Sequence, residues 1–442
     1  MSQNKPKYHL LTLGCQMNKS DSERLAALLD GIGLEQTDDE AEADLIVINS
    51  CSVRQSAEDR IFGKMRNYKI MREKRPDLVV AVTGCLPGRD KDGSIRAKMP
   101  EADLYFPIKD MGQLPGWLAG LRPDIFNGGD MVEDYLKIRP RYAPGAKAFV
   151  GIQTGCNKYC SYCVVPYSRG FERSRPLADV MAEVRDLAGR GTLEIELLGQ
   201  AVNAYRASDP ENFTPGNPYK DHFAALLWEV NQVPGLARVH WTAAHPLHMT
   251  EEVIDALALP KQVNYLHLPV QSGSDAVLKR MNRKYGRSFY LDVIRRIKAR
   301  RPGIAIGTDI IVGFCGETAD QFEETVSLYK EVDYDISYHA RYSPRSGTLS
   351  KKLFPDDVLR EEKKRRWEVL QGLMVETTLR KNQFYVGREV SVLVDEKGDG
   401  WCGGNSSEMK RVRFACTSDM IGRLIRVRIT KAMEWLLVGE LV

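Results

Sequence analysis

Cys156, Cys160 and Cys163 lie in the run Gly155-Cys156-Asn157-Lys158-Tyr159-Cys160-Ser161-Tyr162-Cys163. Spacings of three and then two intervening residues put three thiols on one tight loop. Thiolates are the usual protein ligands of iron–sulfur clusters, and a cube of four irons takes four ligands. Three ligands leave one iron open to bind and activate a small molecule. Zinc is the competing occupant, but it prefers four ligands, commonly as two pairs, and no fourth Cys or His stands nearby in sequence. A second trio, Cys15, Cys51 and Cys85, is widely spaced, and each member closes an apolar, β-like run. One cysteine ending a strand is most often just a small buried side chain. Three successive runs ending this way point to a second metal or cluster site, again with an open iron that can carry sulfide or persulfide. Cys315, Cys402 and Cys416 are scattered and are expected as isolated buried or half-buried residues.

The elements that must position these thiols can be read from patterning. Runs 9–15, 44–51 and 78–85 are short, continuous and rich in β-branched residues, the signature of buried strands of a parallel sheet. Helical patterns lie between them, at 22–29 with Asp21 or Ser22 as cap and at 57–74 with Ser56 as cap. In an open α/β sheet, ligands bind at the carboxyl ends of the strands, where three such thiols can converge. Residues 7–140 are therefore expected to form an open parallel α/β domain.

Residues 146–375 alternate candidate strands (148–153, 194–198, 238–243, 265–270, 305–312, 336–342) with helices (176–190, 223–233, 250–258, 319–332). That alternation implies a partial (β/α)6 barrel with the 156–163 loop after its first strand and Gly199-Gln200 after its second. A long charged helix is expected at 359–383. Short strands at 387–394, 410–414, 423–430 and 434–441 then predict a small antiparallel β-barrel over 380–442. The fold class is α/β in three domains.

The chain has 442 residues, 43% hydrophobic and 28% charged, which excludes a disordered protein. It has no run of 18 apolar residues, so no membrane helix is expected, and its polar start lacks an apolar signal region. A cytoplasmic location is expected, and there nine cysteines argue against a disulfide framework. No heptads mark a coiled-coil partner, and a monomer is expected. The net charge of +4 is uninformative, but 410–431 holds seven basic residues and one acidic one. Lys410, Arg411, Arg413, Arg426 and Arg428 are candidates for a phosphate-backbone contact. Two further basic clusters (Lys279, Arg280, Arg283, Lys284, Arg287 and Arg54, Arg60, Lys64, Arg66) could add RNA contacts, although a charge run is more often a solvated face.

Specific motifs extend along nearly the whole chain. They include Leu13-Gly14-Cys15-Gln16-Met17-Asn18 with Asp21-Ser22-Glu23, Asn49-Ser50-Cys51-Ser52-Val53-Arg54 and Thr83-Gly84-Cys85. They continue with the Cys156 loop, Val164-Val165-Pro166-Tyr167-Ser168-Arg169-Gly170, Leu197-Leu198-Gly199-Gln200, His267-Leu268-Pro269-Val270-Gln271-Ser272-Gly273-Ser274, Thr308-Asp309-Ile310-Ile311-Val312-Gly313-Phe314 and Tyr342-Ser343-Pro344-Arg345. Together they resemble the methylthiotransferase family of radical S-adenosylmethionine (SAM) enzymes, and the last 60 or so residues resemble its RNA-binding TRAM barrel. The Cys-Gln-Met-Asn stretch resembles the branch acting on tRNA dimethylallyladenosine; the branches acting on a ribosomal protein or on threonylcarbamoyl-adenosine usually differ there.

The resemblance implies two 4Fe–4S clusters, one on Cys156, Cys160 and Cys163 and one on Cys15, Cys51 and Cys85. It also implies SAM as both radical source and methyl donor, with Tyr162, Gly199 and Gln200 contacting it. The implied reaction inserts sulfur at C2 of the modified adenosine beside the anticodon and then methylates it. The partners implied are the tRNA anticodon stem-loop, an electron donor and a sulfur donor. A non-catalytic iron–sulfur RNA-binding protein is the reading from another class, and it has no need of an open iron. Three departures from the family pattern stand out: Cys315 at a usual Pro, Leu86-Pro87 after Cys85, and Gly404-Asn405-Ser406 at a usual Gly-Arg-Thr.

Overall fold

The computed structural model describes residues 5–52, 55–143 and 145–442. Arg54 and the side chain of Ser56, expected as an RNA contact and a helix cap, lie outside what is described. The chain divides into two compact units. The first comprises 1–143, 154–173 and 345–349, and the second 144–153, 174–344 and 350–442. Both cysteine trios belong to the first unit.

In the first unit, β1 (Lys7–Leu13), α1 (Gln16–Gly31), β2 (Glu35–Gln36), β3 (Leu45–Ser50), α2 (Gln55–Lys74), β4 (Val79–Gly84), α3 (Cys85–Arg89), β5 (Leu104–Tyr105) and α4 (Leu114–Leu121) follow in order. The five strands form one parallel sheet in the order β2-β1-β3-β4-β5. Alternation sets its two faces. Leu45, Val47, Val79 and Ala81 join one apolar core with Leu25, Leu29 and Phe106, and Ile46, Ile48, Val80 and Val82 join another with Ile61, Met65 and Tyr68. Each buried Val, Leu, Ile, Phe or Met among them stabilises by about 1.5–3 kcal/mol relative to exposure.

Helix α1 begins earlier than its pattern indicated, directly after Cys15, which occupies the N-cap position without a side-chain capping bond. Asp21 and Ser22 are therefore buried helix-interior residues rather than caps. Their polar groups are used in tertiary bonds instead: Asp21 pairs with Arg169 at 2.6 Å, and Ser22 bonds Thr12 and Asn49.

The second unit is built on β6 (Lys147–Gly151). A short ribbon of β7 (Gln153–Thr154) and β8 (Arg173–Ser174) then marks the two ends of the 154–173 segment of the first unit, which carries α5 (Val165–Arg169). Next come α6 (Leu177–Gly189), β9 (Glu194–Leu198), α7 (His222–Gln232), β10 (Arg238–Trp241), α8 (Glu251–Ala256), β11 (Tyr265–His267), α9 (Asp275–Arg280), α10 (Arg287–Arg300), β12 (Ala305–Val312), α11 (Ala319–Val332) and β13 (Ile336–Arg341). Strands β6, β9 and β10 make one parallel sheet and β11, β12 and β13 another, with a parallel bridge from Val239 to Gln262 beyond β10. These are the six strands and interleaved helices of a partial (β/α)6 barrel.

After α12 (Leu349–Leu353) and the long α13 (Arg360–Gln383), a closed barrel forms in the order β14-β15-β16-β18-β17. Its strands are β14 (Glu389–Gly398), β15 (Trp401–Ser406), β16 (Arg411–Ala415), β17 (Leu424–Ala432) and β18 (Leu437–Leu441). All its pairings are antiparallel except β16 with β18.

Strand β15 was hidden in the sequence because Gly403-Gly404-Asn405 reads as a turn. The glycine is there for space: a Cβ on Gly404 would lie 1.9 Å from the Leu393 carbonyl oxygen. The same register corrects the expectation for two cysteines. Cys402 stands opposite Phe414, so Cys416 lies just beyond, and the two form a disulfide with Cα atoms 5.7 Å apart. Cys315 is buried and unpaired, as expected. Among the described residues no helix is long and apolar enough to cross a membrane.

Candidate active site

The loop trio is shaped by backbone constraints. Gly155 has φ +74°, and a Cβ there would lie 2.0 Å from the Phe171 carbonyl oxygen, so only glycine lets residues 155 and 171 approach so closely. The Cys156 N–H donates to the Gly170 carbonyl at 3.2 Å, and the Cys163 N–H to the Cys160 carbonyl at 2.9 Å. Asn157 Oδ1 accepts from the Glu172 N–H at 3.1 Å, while Lys158 pairs with Glu172 at 3.5 Å, pinning the loop to the segment after α5. The Val165 N–H points at Cys163 Sγ from 3.4 Å, a donor placed for a thiolate. Cys156 and Cys160 are buried and Cys163 is half-buried. Burial pushes the Cys156 thiol up, opposed by the Lys158 backbone N–H.

The dispersed trio is assembled by strand register. Leu13 pairs with Ser50 and Ser50 with Gly84, so β1, β3 and β4 end level. Cys51 and Cys85 follow immediately, and Cys15 comes one residue later. A Cβ on Gly14 would lie 3.0 Å from Cys51 Cβ, which shows how near the chain passes.

A buried amide lattice holds the row. Asn18 Nδ2 donates to Asn49 Oδ1 at 2.9 Å and to the Ser50 carbonyl at 3.1 Å, Asn49 Nδ2 donates to the Asn18 carbonyl at 2.8 Å, and Cys15 Sγ donates to Asn18 Oδ1 at 3.3 Å. Ser50 Oγ donates to the Thr83 carbonyl at 2.5 Å and accepts from the Leu86 N–H at 3.2 Å. Cys15 is exposed, whereas Cys51 and Cys85 are buried.

Buried cations surround this trio. Arg169 lies beside Cys85, and Arg345 lies near Cys51. Arg89 bonds Ser52, the residue after Cys51, and pairs with Glu58 at 2.7 Å. Burial pushes the Cys85 thiol up and the Arg169 guanidinium pulls it back.

Among the described residues no three Cys, His, Asp or Glu side chains stand close enough together to grip a bare metal ion. The donor sets nonetheless fit iron–sulfur clusters: three thiols each, with a backbone N–H group or guanidinium groups beside them.

In the second unit, Gly199 and Gln200 follow β9, as expected. A Cβ on Gly199 would lie 2.9 Å from Gln153 Oε1. Among the described residues, Gln200 Oε1 and both polar side-chain atoms of Gln153 are buried without a hydrogen-bond partner. Buried amides are normally satisfied by a protein group, a water or a ligand. In the sequence, the one signal for Gln153 is its position two residues before Gly155.

The basic candidates divide. Lys410 is buried and interacts with Asp335 at 3.5 Å, so it points inward rather than toward an RNA. Arg411 pairs with Asp395 at 2.5 Å and also with Glu396. Arg413 lies 3.9 Å over the Trp401 ring, and Arg426 and Arg428 share Glu389 at 2.5 and 3.0 Å while remaining exposed.

The 279–287 cluster is largely structural. Arg283 is buried against Tyr285, Arg280 donates to Gly316 and Gln321, and Arg287 pairs with Glu331. In the other cluster Lys64 pairs with Glu40.

A partial (β/α)6 barrel together with a three-cysteine loop of this spacing defines a radical SAM protein. Residues 150–329 match the radical SAM superfamily, and residues 7–107 match the family described as uncharacterized protein family UPF0004. A tRNA-2-methylthio-N(6)-dimethylallyladenosine synthase of Neisseria gonorrhoeae is 38% identical over 446 residues, 99% of each chain. Its namesake in Burkholderia multivorans is 39% identical over 449 residues, 99% of this chain and 97% of that one. The chain belongs to this family of tRNA-2-methylthio-N(6)-dimethylallyladenosine synthases. Membership carries SAM and 4Fe–4S clusters with it as cofactors.

Among solved structures, the radical SAM methyltransferase TsrM of Kitasatospora setae matches with a TM-score of 0.56 at 16% identity, covering 76% of this chain and 73% of that one. The cobalamin-dependent radical enzyme OxsB matches with a TM-score of 0.51 at 13% identity, covering 94% of this chain and 65% of that one. At these identities the likeness concerns the fold alone.

Proposed function

We propose that this protein methylthiolates N6-dimethylallyladenosine next to the anticodon of tRNA. The observation that carries this reading is 38–39% identity over 99% of this chain to enzymes of that name, in a chain that keeps six thiols in two trios. Cys156, Cys160 and Cys163 would hold one 4Fe–4S cluster, and Cys15, Cys51 and Cys85 the other. When bound, the clusters and SAM supply an electron, a carbon-centred radical, a sulfur atom and a methyl group.

The remaining work falls to this chain's own residues. Gly199 and Gln200 in the second unit and Tyr162 in the first are our candidates for SAM contact, and the unpartnered amides of Gln200 and Gln153 support a polar ligand beside the end of β9. The backbone N–H at Val165 and the arginines beside Cys51 and Cys85 offset thiolate charge. We assign the closed C-terminal barrel as a TRAM domain that grips the anticodon stem-loop through Arg411, Arg413, Arg426 and Arg428. Phosphate contacts of this sort fix register and orientation without reading sequence.

We divide the chain for function at 7–140, 146–375 and 380–442. We place the protein in the cytoplasm as a monomer served by separate electron and sulfur donors. The test is mass spectrometry of tRNA nucleosides from cells lacking the chain. The expected result is loss of the 2-methylthio nucleoside with build-up of its dimethylallyl precursor. An unchanged profile would overturn the tRNA assignment.

A further inference from the structure

Arg169 ends α5, the short helix that follows the Cys156–Cys163 loop, yet its guanidinium lies beside Cys85 of the other trio. The close approach of the two helices makes this reach possible. α3 and α5 pack so tightly that a Cβ on Gly88 would lie 2.1 Å from the Ser168 carbonyl oxygen. Arg169 is held by Asp21 on α1, with Nη2 2.6 Å from Oδ2 and side chains 2% and 0% exposed. Among the described residues, Arg169 Nη1 and Asp21 Oδ1 are buried without a hydrogen bond of normal geometry, and the Cys85 thiol is the group within the guanidinium's reach. A buried guanidinium with a spare N–H is costly unless an anion completes it. Besides Asp21, the anion the fold would bring to Arg169 is the thiolate and sulfide assembly that Cys15, Cys51 and Cys85 would hold.

We infer that Arg169, oriented by Asp21, is a positioning residue of the second cluster: its fixed charge balances the cluster's anionic sulfur, and its spare N–H donates to that sulfur. The inference rests on the second-cluster reading above. It also links the two trios physically, because the residue that tunes one is the last residue of the helix that leaves the other.

Net charge and hydrogen bonds to sulfur set the potential of such a cluster, so two substitutions must act with opposite sign. The test uses full-length protein carrying Cys156→Ala, Cys160→Ala and Cys163→Ala, reconstituted without oxygen so that only the second cluster is present. Its potential is read by titration followed with electron paramagnetic resonance. Arg169→Met should shift the potential negative, Asp21→Asn should shift it positive, and Arg169→Lys should restore most of the loss. A general loosening of the fold cannot produce opposite shifts. If both variants shift the same way, or neither moves, the role of Arg169 is overturned and the cluster stands. If the parent protein with the three alanines binds no iron, the second-cluster reading fails and takes this inference with it.

Discussion

The loop trio and the dispersed trio place three thiols each in the same compact unit, but by different physics. Cys156, Cys160 and Cys163 are brought together by one loop whose shape depends on Gly155 and on a few backbone hydrogen bonds. Cys15, Cys51 and Cys85 are brought together by the register of a parallel sheet, a buried amide lattice and buried arginines. A loop of this kind can adjust locally as it takes up iron. A sheet edge cannot, because moving one strand end breaks a ladder and exposes two apolar faces. The difference assigns the trios different sensitivities. The first depends on local conformation and the second on the fold.

The largest expected effect separates the trios by chemistry. Replacing Cys156, Cys160 and Cys163 by alanine should abolish reductive SAM cleavage, a loss of at least about a thousandfold given how much of such a reaction its cofactor carries. Replacing Cys15, Cys51 and Cys85 should spare cleavage to 5′-deoxyadenosine and stop methylthio product formation. Product from the second variant would show that these thiols do not deliver the sulfur.

Access gives the next contrast. In iron-free protein, iodoacetamide should modify exposed Cys15 faster than Cys85 by roughly tenfold or more, as thiolate content and exposure govern the rate. Burial raises the Cys85 thiol, so its thiolate fraction is small below its folded value and its alkylation should keep rising with pH beyond the ordinary thiol range. Peptide mapping by mass spectrometry reads both. Equal rates at the two thiols would mean that the sheet edge is looser than its burial implies.

Two glycines then test locality. Gly155 has φ +74° and Gly84 φ +102°, and a Cβ on either would lie within 2.3 Å of a carbonyl oxygen. An L-residue in such a conformation costs about 1–2 kcal/mol before any clash. Gly155→Ala should lower iron at the loop trio several-fold and leave the dispersed trio loaded, and Gly84→Ala should do the reverse. Iron analysis in the two backgrounds that lack one trio decides it.

These contrasts parallel what could be read before the structure. The loop trio is visible as spacing alone. The dispersed trio is visible because strands leave a β-branched pattern and each of the three runs ends in cysteine. The Asp21–Arg169 pair left no trace, since 148 residues separate the partners and only the tertiary fold brings α1 and α5 together. Lys410 was misplaced because a run of basic residues does not say which way each one points, and on β-strands neighbouring side chains alternate. The Cys402–Cys416 disulfide was missed for a related reason: it depends on antiparallel register across a strand whose glycines resemble a turn.

The smallest expected effect bears on what keeps the strand ends level. Asn49 is fully buried, donates to the Asn18 carbonyl at 2.8 Å and to Ser22 Oγ at 3.0 Å, and accepts from Asn18 Nδ2 at 2.9 Å. Asn49→Ala removes these bonds and leaves a buried carbonyl, a hydroxyl and an amide short of partners. Leaving buried polar groups unsatisfied costs about 1–3 kcal/mol. For units of this size that corresponds to a fall in Tm of about 3–10 °C. Iron held by Cys15, Cys51 and Cys85 should fall in step with that loss, because the lattice also holds Asn18, the acceptor of the Cys15 thiol. Iron at Cys156, Cys160 and Cys163 should not change, since none of these bonds reaches that loop. A fall at both trios would mean that the loop leans on the sheet edge, and that its apparent independence ends where α5 packs on α3.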